Sequence, residues 1–164
     1  WVDWADTDAD LLAFASKVAA LRAEHPVFRR RRFFTGRPVR QRDTTGLPDI
    51  SWLSPDGSEM TEEDWDSGFG KSVAVYLNGQ GIPGLDQRGH RVTGDSFVVC
   101  FNAHHEPIPF TLPPKEFGAQ WQVVIDSANP ANGHGDTPLA AAGTVPVEAR
   151  ALVVLQEVGE PPPG

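Results

Sequence analysis

After Phe33 the chain repeats one pattern, a short run of β-branched and aromatic residues that is closed by glycine, proline or asparagine. The runs are SVAVYLNG, SFVVCFNA, PIPFTLP, WQVVID, TVPVEA and ALVVLQE, at intervals of about ten to twenty residues. This spacing is typical of an antiparallel sandwich or barrel rather than of βαβ units. We therefore predict a mainly β fold, an antiparallel β-sandwich.

One long amphipathic helix is predicted ahead of this domain, from Thr7 to His25. Apolar residues recur at spacings of three and four, which gives the helix an apolar stripe. The stripe consists of Leu11, Phe14, Val18 and Leu21, widened by Leu12, Ala15 and Ala19. Thr7 is the expected N-cap, and Pro26 ends the pattern. Because no second long helix follows, the stripe must pack on the β domain or on a part of the protein outside this sequence.

The charge of the chain argues against one class of partner. Its 164 residues include 14 Lys and Arg against 22 Asp and Glu, a formal net charge of −8. Nucleic-acid binding needs a cationic surface that displaces counterions, so we expect no nucleic-acid partner. Neutral or polyhydroxy ligands remain open. The basic run FRRRRFF, residues 28–34, is expected to pair with acidic neighbours or to cover an interdomain face.

The location of the protein is predicted from three features. No apolar run reaches the roughly 18 residues of a membrane span, and no signal peptide is visible. Cys100 is the single cysteine, and its apolar setting in SFVVCF predicts a buried thiol. We therefore expect a cytoplasmic protein without a membrane partner. Because the chain begins at Trp1 and its only methionine is Met60, we also expect a segment of a longer protein.

The stretch DISWLSPDGSEMTEEDW, residues 49–65, has the composition of an active site, with carboxylates beside tryptophans. Glycoside hydrolysis, however, needs two carboxyl groups that face each other across a cleft, and these normally come from different strands or loops. TEED predicts a capping box with Thr61 as N-cap and Asp64 at N3, and SPDGS predicts a tight turn. We therefore interpret the stretch as structural. The side chains expected to pack on the core are Trp52, Met60 and Trp65.

The motif NAHHEP is a candidate metal site, because it holds His104, His105 and Glu106. Adjacent histidines in a strand point to opposite faces, so we predict a polar turn at a strand end and no metal site. The sequence contains no Ser-His-Asp arrangement, P-loop, dinucleotide fingerprint or cysteine pair, and we expect no cofactor.

Trp1 and Trp4 lie in an acidic loop, WVDWADTDAD. Such a loop suits sugar binding, because an indole packs on the apolar face of a pyranose and carboxylates accept hydroxyl hydrogen bonds. It is equally possible from the sequence that both indoles are core or interface residues that only truncation exposes.

In their order, the motifs resemble the C-terminal part of isoamylase-type glycogen debranching enzymes of the α-amylase superfamily. The matching pieces are WVDWADTDADLLAFASKVAALRAEHPVFRRRRFFTG, DISWLSPDGSEMTEEDW, SVAVYLNG, FVVCFNAHHEPIPFTLP and WQVVIDSANP. The resemblance implies a (β/α)₈ barrel upstream that carries every catalytic carboxylate, so no catalytic residue is assigned here. Residues 1–27 would be the loop and last helix of that missing barrel, residues 28–158 the all-β C-terminal domain, and residues 159–164 a disordered tail.

The resemblance also implies a function. The parent would hydrolyse α-1,6 branch linkages of glycogen or a related α-glucan by a retaining mechanism, and this segment would be its non-catalytic C-terminal domain, inactive alone. Its partners would be the catalytic barrel and the α-glucan. Only the loop from Trp1 to Asp6 would lie near the glucan cleft, so Trp1 and Trp4 are the candidate substrate contacts.

Two alternatives to this function stay open. The first is a glucan-binding module that tethers the parent to the polymer, and two or more coplanar indoles facing solvent on one sheet face would favour it. The second is self-association through the apolar face of the first helix, which would be a large exposed patch once the barrel is absent.

Overall fold

A computed structural model describes residues 6–38, 46–67, 70–132 and 137–159, and within these ranges it contains two α-helices and eight strands. The helices are α1 (Ala9–Glu24) and α2 (Glu62–Asp66). The strands are β1 (Ile50–Leu53), β2 (Ser72–Leu77), β3 (Phe97–Asn102), β4 (Ile108–Thr111), β5 (Gln120–Asp126), β6 (Leu139–Ala140), β7 (Thr144–Val147) and β8 (Ala151–Glu157). The predicted mainly β fold behind one long helix is confirmed.

Two antiparallel sheets form the sandwich. The larger sheet has the strand order β1-β2-β3-β8-β5-β6, and the smaller sheet pairs β4 with β7. All six predicted runs form strands. Sequence reasoning missed β1, which lies inside the acidic stretch, and β6, which has two residues.

The main core lies between the small sheet and the inner face of the six-stranded sheet. Trp121 is fully buried in it and packs edge to face with Tyr76, their ring centroids 6.4 Å apart. Phe110 and Val147 contribute from the small sheet. Cys100 belongs to the same core, where burial raises the pKa of its thiol to about 12. The prediction of a buried thiol is thus confirmed, and such a thiol is unreactive at neutral pH.

Helix α1 begins two residues later than predicted. Its N-cap is Asp8 rather than Thr7, since Asp8 Oδ1 accepts hydrogen bonds from two backbone N–H groups of the first turn, each 3.0 Å long. A carboxylate there also complements the positive end of the helix dipole. The helix ends at Glu24, ahead of Pro26 as the sequence predicts, and Pro26 opens a short 3₁₀ turn, Pro26–Arg29.

The apolar stripe of α1 is only partly covered. Phe14 and Leu21 pack against a second apolar cluster on the outer face of the six-stranded sheet, the face turned away from β4 and β7. Leu11 and Val18 remain 63% and 41% exposed, and no residue of α1 is buried. The β domain is therefore one partner of the stripe, but it leaves much of the stripe free.

A buried ion pair fixes the segment after α1 to the sheet. Arg30 Nη2 donates to Asp49 Oδ2 at 2.7 Å, with side chains only 4% and 2% exposed. Asp49 also accepts backbone N–H groups of Thr35 and Gly36, and the Arg30 guanidinium lies 3.9 Å from the Phe34 ring centroid. This confirms the predicted acidic pairing for one arginine of the basic run. The exposed arginines of the run are Arg29, Arg31 and Arg32.

Candidate functional site

Two carboxylates of the acidic stretch serve the local fold. Asp64 Oδ2 accepts the Thr61 N–H at 2.8 Å and Thr61 Oγ1 accepts the Asp64 N–H at 3.3 Å, which confirms the predicted capping box. Asp56 accepts both the hydroxyl and the N–H of Ser58 in the predicted turn. Hydrogen bonds, chiefly from the Ser58 hydroxyl to Asp56 and from the Thr61 N–H to Asp64, hold the pKa of each carboxyl below its usual value. A general acid needs the opposite shift.

The tryptophans of the stretch do not pack on the core, so that prediction was wrong. Trp52 and Trp65 are 40% and 53% exposed, and Met60 is partly exposed. The reason lies in the sheet, because β1 is its edge strand and Trp52 projects from the outer face beside Val75. The turn and α2 then bring the chain back towards β1. Trp65 thereby contacts Trp52 edge to face, with ring centroids 5.3 Å apart and an interplanar angle of 80°.

These two indoles line a cleft of about 580 Å³, here called the aromatic cleft. Two further rings lie in its lining, those of Phe34 and of Phe33, which is 95% exposed. Polar groups enter the lining from Thr35 and Glu59. The two indoles are perpendicular, so they form a corner and not the coplanar pair that the sequence analysis named as a mark of a binding module.

A second concavity, here called the outer groove, lies on the outer face of the six-stranded sheet beside α1. Its volume is about 740 Å³, and Arg22 and Ser127 are the polar residues in its lining. The remaining lining is apolar and comes from α1, the 3₁₀ turn after it and five strands. Phe101 lines it while remaining 41% exposed. Trp52 borders both the outer groove and the aromatic cleft.

A third concavity, of about 480 Å³, is lined by Tyr76, Asp95, Phe117 and Glu157 among others. Burial is the main cause that raises the pKa of Glu157 above its ordinary value, and the nearby charge of Asp95 adds to it, while a hydrogen bond with Ser96 opposes it. This partly buried carboxyl is therefore held in an environment that disfavours its ionised form.

We expect Glu157→Gln to raise the stability of the chain at pH 7. The unfolded carboxyl ionises near the ordinary value of 4.5 and the folded one at higher pH, so stability falls as pH rises through the interval between the two pKa values. Glutamine cannot ionise and removes this loss. Urea unfolding at pH 4 and pH 7 tests the expectation, and equal effects at both pH values would contradict it.

His104, His105 and Glu106 follow β3 in the predicted polar turn. The histidines do not point to opposite faces, because the strand has ended at Asn102, and their ring centroids lie 4.2 Å apart. One candidate ligand atom from each of the three residues lies within 4.8 Å of the others. His104 Nδ1, however, already accepts the Glu106 N–H at 3.2 Å. That this turn holds no metal stays a prediction.

The candidate substrate contacts Trp1 and Trp4 lie outside the described residues, as do residues 160–164 of the predicted tail. The role of the two indoles therefore stays a prediction. Across the part of the chain that the structure describes, no helix is long and apolar enough to cross a membrane.

Comparison with known proteins places these features in context. The family model "Isoamylase, C-terminal" matches residues 49–155. Glycogen operon protein GlgX homologs of Mycobacterium bovis and Mycobacterium tuberculosis are each 48% identical over 159 residues, which is 96% of this chain. The chain spans 22% of the length of these curated relatives. Pullulanase type I from Bacillus subtilis matches in structure with a TM-score of 0.53 at 16% identity, over 96% of this chain and 17% of that chain. At that identity the likeness supports the fold alone.

Proposed function

Because the chain belongs to the isoamylase C-terminal domain family, we propose that it is the non-catalytic C-terminal domain of a glycogen debranching enzyme. The parent enzyme is cytoplasmic and hydrolyses α-1,6 branch linkages of glycogen or a related α-glucan by a retaining mechanism. The 48% identity to relatives that are named for a glycogen operon supports this assignment. In the same proposal, residues 1–27 complete the catalytic barrel and residues 28–158 form the appended β domain.

The uncovered outer face of the six-stranded sheet is the observation that carries the proposal. The outer groove is almost wholly apolar, and it continues onto α1, where Leu11 and Val18 are exposed. Exposed apolar surfaces of this kind mark interaction sites. The relatives are several times longer than this chain, so they have room for a domain that covers such a face. We assign that role to the catalytic barrel, and self-association of the isolated chain through the same face stays a prediction.

A hydrolysis assay tests the proposed function. The isolated chain and the parent enzyme are each incubated with glycogen and with a branched limit dextrin, and new reducing ends are measured. We expect release by the parent and none by the isolated chain, since Asp49, Asp56 and Asp64 are engaged in structural contacts. Debranching by the isolated chain would contradict the proposal.

A charge introduced on the outer face should affect the stability of the parent enzyme and of the isolated chain differently. Phe101→Glu is expected to destabilise the isolated chain less than the parent, because the side chain is 41% exposed there and the carboxylate can reach water. In the parent the carboxylate is buried without a partner, and we expect a loss of about 1–3 kcal/mol. Thermal melts of both proteins measure the difference.

Leu85→Glu is the matched control for this test. Leu85 is 69% exposed and lies away from the outer groove, in the lining of a different concavity. We expect it to leave both proteins unchanged. If Phe101→Glu destabilised the parent no more than the isolated chain, the barrel would not cover this face.

A further inference from the structure

We propose that the aromatic cleft formed by Trp52, Trp65 and Phe33 is a binding site for α-glucan chains. The inference rests on the proposed function in one respect only, namely that the parent acts on an α-glucan. The cleft itself is argued from its geometry and chemistry.

The rings of the cleft are held in place before any ligand arrives. Trp52 lies in β1, and its carbonyl accepts the Met60 N–H at 2.9 Å, so the returning chain is fixed beside it. Trp65 lies in α2, whose first turn is closed by the capping box. The two indoles also support each other through their edge-to-face contact. Binding therefore orders few side chains, which lowers its entropic cost.

Phe33 owes its position to the buried ion pair. The segment that carries it is tied to the sheet on both sides, by Arg30 before it and by the N–H groups of Thr35 and Gly36 after it, and all of these contacts end on Asp49. A phenylalanine that is 95% exposed on a segment so tightly anchored is not a frayed residue. Its backbone is anchored, so the ring is presented to solvent beside the cleft.

The lining of the cleft suits a ligand with both apolar and hydroxylated surfaces. A pyranose has C–H faces that pack on aromatic rings and a rim of hydroxyl groups that donate to carboxylates and hydroxyls. The cleft offers rings from Trp52 and Trp65 and a carboxylate from Glu59, whereas the Thr35 hydroxyl in its lining already donates to Asp49. Its volume of about 580 Å³ lies in the usual range for small-molecule sites.

Charge and polarity distinguish the cleft from the other surfaces considered. The helix that carries Trp65 bears four carboxylates, those of Glu62, Glu63, Asp64 and Asp66. Glu59 is the charged residue in the lining of the cleft, and its carboxylate disfavours an anionic ligand such as a sugar phosphate. The outer groove has almost no polar lining and suits a protein face, whereas the cleft lies beyond Trp52 at the edge strand β1 and mixes rings with polar groups. A neutral oligosaccharide is the occupant that fits both observations.

The test measures glucan affinity of the whole 164-residue chain. Native electrophoresis through gels with and without glycogen gives the retardation, and titration with maltoheptaose gives a Kd from tryptophan fluorescence. We expect saturable binding, and we expect Trp65→Ala and Phe33→Ala each to weaken it about tenfold or more, as for the central residues of other binding sites. Trp65→Phe should keep part of the affinity, because it retains a ring.

Phe101→Ala is the matched control, since it removes an exposed aromatic ring from the outer groove instead of the cleft. It should change the Kd for glucan by no more than about twofold, well below the tenfold loss expected for the two cleft variants. Thermal melts confirm that each variant is folded. Glucose at the same monomer concentration controls for bulk sugar.

Three results would overturn the proposal. The first is a folded wild-type chain that binds neither glycogen nor maltoheptaose. The second is binding that Trp65→Ala and Phe33→Ala leave intact, which would move the site elsewhere. If Trp65→Ala lowered the melting temperature of the parent without changing glucan affinity, the cleft would be an interdomain contact and the proposal would again be wrong. In each case the hydrolysis assay of the parent still decides the proposed function separately.

Discussion

Asp49→Ala should lower the free energy of unfolding by about 3–5 kcal/mol, the cost of leaving one partner of a buried ion pair without the other. Its partner Arg30 is only 4% exposed and bonds to Asp49 at 2.7 Å. Among the described residues, the Nε and Nη1 atoms of Arg30 already lack hydrogen-bond partners, so only the Phe34 ring would still face the remaining charge. The N–H groups of Thr35 and Gly36 lose their acceptor as well. Urea unfolding at pH 7 measures the effect.

A double variant identifies the cause of that loss. Arg30→Met together with Asp49→Asn removes both charges but keeps an amide oxygen for the two backbone N–H groups. Because uncharged replacements of buried pairs are often close to neutral, we expect the double variant to recover most of the stability. A cost below about 1 kcal/mol for Asp49→Ala would mean that the pair behaves like a solvent-exposed one.

Substitutions at Asp49 also connect the stability of the chain to glucan binding. Asp49 holds the segment that presents Phe33 to the aromatic cleft, so the asparagine variant, which keeps the backbone contacts, should bind glucan better than the alanine variant. Stability and glucan affinity thus depend on one buried carboxylate for different reasons, one on its charge and the other on its acceptor oxygens.

Features that depend on a few neighbouring residues were predicted from the sequence. The capping box from Thr61 to Asp64 needs only four residues in order, and each of the six predicted strands carries its own β-type run. The N-cap of α1 shows the precision of such reasoning. Thr7 and Asp8 are both good caps, and the local pattern does not decide between them, whereas the structure uses Asp8.

The exposure of the two tryptophans in the acidic stretch could not be predicted from neighbouring residues. Trp52 and Trp65 are exposed because β1 lies at the edge of the six-stranded sheet, and strand order is a long-range property. The residues around Trp52 also lie in an acidic stretch with a tight turn, which hides the short strand β1. Trp121, in contrast, lies in the seven-residue strand β5, whose run WQVVID shows a clear apolar pattern, and it is fully buried. Because the edge position of β1 could not be predicted, sequence reasoning also missed the aromatic cleft.

Trp121→Ala should cost about 3–5 kcal/mol, as expected when a fully buried tryptophan is truncated and a cavity remains. Trp121 lies in the core that joins the two sheets, beside Tyr76 and Val147. Its Nε1 atom is buried without a hydrogen-bond partner among the residues described. Trp121→Phe removes this unpaired N–H together with part of the ring, so it should cost clearly less than the alanine variant. Thermal and urea unfolding of both variants compare the two costs.

The packing at Gly118 gives an independent check on this core. A Cβ at Gly118 would lie 2.6 Å from Cζ2 of Trp121, so Gly118→Ala should cost about 1–3 kcal/mol in the wild type. Phenylalanine lacks the outer part of the indole, and in the Trp121→Phe background the added methyl group fills vacated space. We therefore expect the double variant to be more stable than the sum of the two single effects predicts, and a double-mutant cycle measures the difference. Strict additivity would show that Gly118 and the indole do not share this contact, and the close packing inferred between them would then be wrong.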